Sequence, residues 1–158
     1  MKREKFLWPL TQSHHRALIE ARRVKEKLSA SDAVHEEVVK EMAAEVRKLY
    51  EEELRLHFWD EEKILALYEE RMGKDEPEPQ RIRKEHRLLE SLLLRADREG
   101  LLGFAELLNS HVRFEEDVLF GRVEKVLDEG GKKAVGQLLE RETSLNHSKP
   151  GETRGLKP

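Results

Sequence analysis

The hexapeptides His57-Phe58-Trp59-Asp60-Glu61-Glu62 and His111-Val112-Arg113-Phe114-Glu115-Glu116 share one pattern, HxxxEE, at two distant places in the chain. Residues four apart lie one above the other on a helix, so each HxxxE aims an imidazole and a carboxylate at a single point. On a solvated face such a pair is worth little. The neighbouring residues turn both faces inward. His57 and Glu61 continue an apolar series of Val39, Ala43, Val46 and Tyr50 that resumes at Ile64 and Tyr68, and His111 and Glu115 stand between Phe104 and Val118. A buried carboxylate without a cation is strongly unfavourable, so two inward glutamates beside inward histidines call for metal ions.

Two more histidines share these surroundings. His86 has Ile82, Leu89, Leu93 and Ala96 at offsets where His14 has Leu10, Ala17, Ala21 and Val24. His15 has Thr11, Leu18, Arg22 and Lys25 at the same offsets, which places it on the edge of the apolar stripe and makes it the second choice for the first helix. A single inward histidine is explained by a hydrogen-bonded core side chain. Four of them with two glutamates on one seam are not, and the candidate ligand set is His14, His57, Glu61, His86, His111 and Glu115. Glu62, Glu116, Asp60 and Asp117 fall off the inward face and read as solvated charges, or at most as outer partners of the ligands. Tyr50, Tyr68, Phe104 and Phe114 read as core packing, with Tyr50 the one aromatic to test for a redox role.

The elements that must carry these residues are helices. Apolar residues recur at three- and four-residue intervals, and prolines are confined to Pro9, Pro77, Pro79, Pro150 and Pro158. A first helix is expected from Pro9, with Thr11 as cap, to about Leu28. A second, capped by Ser31 or Asp32, runs to Gly73; a third starts near Pro79 and ends near Gly100; a fourth carries Phe104, Leu107, Leu108, His111, Phe114, Val118 and Leu119 inward and ends by Gly130-Gly131. Four helices with short loops suggest an all-α, up-down-up-down four-helix bundle over residues 1–130. Residues 131–158 would add a short amphipathic helix over 132–142 and a polar, disordered tail from Asn146.

Composition narrows the chemistry. The 158 residues suit one domain. Charged residues are 40% of the chain but nearly cancel, leaving a net charge of -3, so no basic field exists for nucleic acid or anionic lipid. With no apolar run of about 18 residues and no signal-peptide pattern, a cytoplasmic protein with no membrane contact is expected. The absence of cysteine removes thiolate ligands and leaves His, Asp and Glu. Four nitrogen and two carboxylate ligands exceed a tetrahedral zinc site and suit two non-haem ions bridged by carboxylates, with iron first and manganese or zinc as other occupants.

These residues resemble the hemerythrin-like, HHE cation-binding family, whose signature is a His, an HxxxE, a second His and a second HxxxE on successive helices. The similarity covers about residues 6–128, and its most specific strings are Leu10-Thr11-Gln12-Ser13-His14-His15 and His111-Val112-Arg113-Phe114-Glu115-Glu116. It implies a four-helix bundle with a carboxylate-bridged di-iron centre that binds dioxygen or a related ligand, Glu61 and Glu115 bridging and His14, His57, His86 and His111 terminal. Oxygen-carrying members have a fifth histidine four residues after the third-helix one, where this chain has Glu90, which either ligates in its place, leaves a position open, or points to solvent. They also have an aspartate at the spacing of Glu116, although Glu115 faces inward better here. The expected function is binding or sensing of a small diatomic ligand, dioxygen or nitric oxide. The alternatives are a di-iron redox enzyme or iron-handling and iron-centre repair protein, and a metal-free helical scaffold.

Overall fold

The computed structural model describes residues 2–30 and 35–146, with side chains as far as 140. The caps expected at Ser31 or Asp32, His147 and the tail beyond it lie outside the described residues. Everything regular in the described residues is helical, and no strand occurs among them. None of their helices is long and apolar enough to cross a membrane.

After a 3-10 turn at Lys5–Leu7, helix α1 spans Trp8–Ser29. Pro9 sits in its first turn, where a missing N–H goes unnoticed. Thr11 lies inside the helix rather than at its cap, and its hydroxyl donates to Glu116 instead. Helix α2 (Glu36–Leu49), a π turn (Tyr50–Leu54) and α3 (Arg55–Met72) follow one another without a break as a rod longer than α1, and Gly73 ends it at φ 97°, a conformation open to glycine at little cost. Helix α4 (Pro77–Arg95) begins at the first proline of the pair and stops at Ala96, which is left-handed at φ 55°.

Helix α5 (Arg98–Phe114) starts earlier than the position of Gly100 suggests. Asp97 accepts the Gly100 N–H at 2.7 Å and so caps the helix ahead of the glycine. A Cβ on Gly100 would come within 2.8 Å of the Leu92 carbonyl, so the turn needs glycine for its close approach. A second π turn (Glu115–Leu119) and α6 (Phe120–Val126) complete this rod. Val118, expected inward, is 37% exposed, because the wider π turn delays the inward face to Leu119 and Phe120.

Gly130-Gly131 do not end a helix. They open α7 (Glu129–Asn146), where the Asp128 side chain accepts the Gly131 N–H at 2.8 Å. This last helix is longer than the expected 132–142 segment and buries Val135 and Leu139 against Leu7, Leu10, Tyr68 and Val123.

The apolar residues form two clusters. One gathers Ala17 to Leu28, Met42 to Phe58, Leu89, Leu93 and Leu101 to Val112; the other gathers Leu7, Leu10, Ile64 to Tyr68, Ile82, Leu119 to Leu127, Val135 and Leu139. Where the two clusters meet along each of the first four rods stand the histidines and glutamates of HxxxEE and their single-histidine counterparts. Helix α5 packs along both α1 and α4, which brings the two single histidines to either side of His111.

Candidate metal centre

The six candidate side chains come together in one buried layer. Glu61 is 2% exposed and Glu115 0%, and His14, His57, His86 and His111 are all buried. Their ligand atoms form two overlapping groups, His14, His57, Glu61, Glu115 and Glu61, His86, His111, Glu115, each with its atoms within 4.8 Å of one another.

Glu61 divides the histidines between its oxygens. Its Oε2 is 2.9 Å from His57 Nε2 and 3.2 Å from His14 Nε2. Its Oε1 is 3.1 Å from His86 Nε2 and 3.9 Å from His111 Nε2. Glu115 reaches across the same division, with Oε1 at 3.1 Å from His14 Nε2 and 3.2 Å from His111 Nε2. All four imidazoles thus turn Nε2 towards the two carboxylates. Donors of this kind, nitrogen and carboxylate oxygen with no sulfur, could hold a metal ion.

Carboxylates also stand behind the histidines. Nδ1 of His14 lies 2.8 Å from Glu116, Nδ1 of His86 2.8 Å from Glu62, and Nδ1 of His111 2.8 Å from Glu85. A carboxylate only accepts, so each Nδ1 carries the proton and each Nε2 is the nitrogen left for a cation. Aromatic rings close the layer: Phe58 stacks on His86 at 4.2 Å and meets His57 and His111 edge-on, while Phe120 stacks on His14 at 5.4 Å.

The electrostatics follow from crowding acids and bases in a dry place. Burial lowers the proton affinity of His14, but the carboxylates of Glu115, Glu116 and Glu61 beside it outweigh that and hold its pKa well above the ordinary value. Burial acts the same way on His111, and Glu115, Glu61 and Glu85 again raise it well above. His86 is raised by Glu61 and Glu62 against its own burial. Burial pushes Glu61 up, yet the charge of His57 and the nearby imidazoles of His111 and His14 hold it well below the usual carboxylate range. Glu116 and Glu85 are lowered despite burial, Glu116 by His14, Thr11 and Arg3, Glu85 by His111 and Arg81. Without a metal ion, the raised histidines and the lowered Glu61 thus favour one another's charged forms.

Several expectations change. His15 is exposed and lines a groove between α1 and α5 with Leu18, Ile19 and Arg113, so the first-helix residue of the layer is His14. Glu90 is exposed and accepts a hydrogen bond from the Tyr50 hydroxyl at 3.3 Å, outside the cluster. Burial and the Glu90 charge push the Tyr50 phenol up to about 12. Asp60, expected as a solvated charge, is completely buried, because α3 packs against α4, α6 and α7 and so has more than one covered face. Glu62 and Glu116 are not merely solvated, since each meets a histidine of the layer. Asp117 is exposed, as its position off the inward face implies. Glu85 escaped the sequence reading because its histidine lies on the neighbouring helix, a relation with no spacing to reveal it.

Comparisons with protein-family profiles, with curated proteins and with solved structures return no match.

Proposed function

We propose that this chain is a non-haem metal protein whose His14, His57, Glu61, His86, His111 and Glu115 hold two ions, iron by preference, and that the centre binds or senses a small diatomic ligand such as dioxygen or nitric oxide. The observation that carries this reading is the division of four Nε2 atoms between the two oxygens of Glu61, a carboxylate nearly without solvent contact. In it, Glu61 and Glu115 would be shared between the ions and each histidine would hold one of them. Bound iron would supply ligand binding and one-electron chemistry in a pocket kept dry by Phe58 and Phe120. The reading extends to a hemerythrin-like, up-down-up-down arrangement. The order along the chain supports it: α1 and α4 pass from Leu7 and Leu10, or Ile82, through the layer to Leu28 or Leu93, and the two HxxxEE rods pass the opposite way between the same apolar clusters.

Metal analysis of aerobically purified protein, with visible spectra before and after reduction, tests the proposal. Two iron per chain with redox-dependent visible absorption is the expected result; protein that neither retains nor takes up iron refutes it. One observation favours a second reading: imidazoles and carboxylates of the layer already stand 3.1–3.2 Å apart, as ion pairs of a metal-free polar seam fixing helix register would. Under that reading thermal stability is indifferent to added iron and to chelator, whereas ion binding to the folded state raises it.

A further inference from the structure

The second glutamate of HxxxEE has no place in the six-residue ligand set, yet it occurs in both repeats. We propose that Glu62 and Glu116 are positioning residues, each fixing the imidazole that a single-histidine helix contributes to the layer; this rests on the two-ion reading above. Glu61 and Glu115 face inward from their own rods. The next residue, about 100° further round a helix, faces the neighbouring rod instead. From α3, Glu62 meets His86 of α4; from the second π turn, Glu116 meets His14 of α1. Both contacts are 2.8 Å, both involve Nδ1, and both leave Nε2 directed at Glu61. Each repeat therefore provides an imidazole and a carboxylate to the layer and an anchor for an imidazole from another helix.

The two anchors differ in how firmly they are held. Glu116 also accepts from the Thr11 hydroxyl at 2.9 Å, and Arg3 Nε stands 3.5 Å from its other oxygen. Glu62 has 42% of its side chain exposed, against 24% for Glu116, and His86 is its one hydrogen-bond partner among the described residues. A carboxylate held on three sides restricts its imidazole more than one held on a single side, so loss of Glu116 should matter more than loss of Glu62. Removing such outer partners of metal-binding histidines typically weakens metal affinity by roughly 10- to 100-fold.

Glu62→Ala, Glu116→Ala and the corresponding Gln variants, compared with the natural chain, test the proposal. In metal-free protein, nitrogen-15 imidazole spectra should show slowly exchanging Nδ1–H signals for His14 and His86. Glu116→Ala should remove the His14 signal alone, Glu62→Ala the His86 signal alone, and Gln, which keeps an accepting oxygen, should restore each. Cobalt(II) titration should then show one of two equivalents weakened in each Ala variant and largely recovered in each Gln variant. Signals that survive the Ala substitutions, or equal weakening of both equivalents by either substitution, would overturn the proposal. If the Nδ1–H signals respond as expected but the natural chain takes up no cobalt, the two-ion reading falls while the paired contacts stand.

Discussion

Metal uptake by this layer should release protons. A histidine must be neutral at Nε2 to ligate. His14 and His111 are held well above the ordinary imidazole value by the carboxylates around them, and His86 is raised as well. The direction of these shifts favours a displaceable proton on each of the three rings. Each displaced proton changes the binding constant about tenfold per pH unit, or about 1.4 kcal/mol. The overall constant for filling both positions should therefore rise by roughly 100-fold per pH unit for two protons and roughly 1000-fold for three, about 2.7 to 4 kcal/mol, between pH 6.5 and 7.5. Cobalt(II) titrations against a competing chelator at several pH values give the slope, and a weakly buffered titration followed with a pH indicator counts protons directly. The slope should flatten at alkaline pH, once the raised imidazoles have ionised. Two cobalt ions bound with no proton release near pH 7 would refute the reasoning that the carboxylates hold these histidines protonated.

Metal-free protein should show a stability plateau. The raised histidines contribute fully below about pH 6.5 and lose their contribution as pH climbs through their folded-state values, while the lowered Glu61, Glu85 and Glu116 contribute fully above about pH 4.3 and lose it as pH falls through theirs. Denaturant midpoints should thus be highest between these limits and fall on both sides, and a monotonic pH profile would contradict the assignment. His14→Ala should abolish or severely weaken one cobalt equivalent by absorption titration, whereas the exposed His15→Ala and Glu90→Ala should leave both intact. Leu139→Ala, at a fully buried position of α7, should lower unfolding free energy by about 2–5 kcal/mol in urea titrations; a change near zero would mean that α7 contributes nothing to the core.

The inward histidines were legible because each lies within a three- and four-residue apolar rhythm, and the same rhythm separated His14 from His15. Helix starts were legible in principle too: Asp97 and Asp128 stand three residues before Gly100 and Gly131, and a capping aspartate outweighs a glycine in the turn that follows. Two things escaped a one-dimensional reading. Contacts such as Glu85 with His111 join side chains on different helices, and no spacing encodes them. Burial of Asp60 depends on how many neighbours cover α3, and the periodicity of one helix reports only its most apolar face.

The π turns within the two HxxxEE rods also govern which single-residue deletions the chain can absorb. A π turn holds one residue more than the α-helical path it replaces. Removing exposed Asp117 from the turn at Glu115–Leu119 lets it relax to ordinary α geometry, with Glu115 and Phe120 still on their original faces. Removing one residue from the α-helical stretch between Phe104 and His111 has no such slack to draw on, and it swings His111 and Glu115 about 100° around the axis relative to the apolar residues before them. Length variation among descendants of this sequence should accordingly be tolerated inside residues 115–119 and purged a few residues upstream.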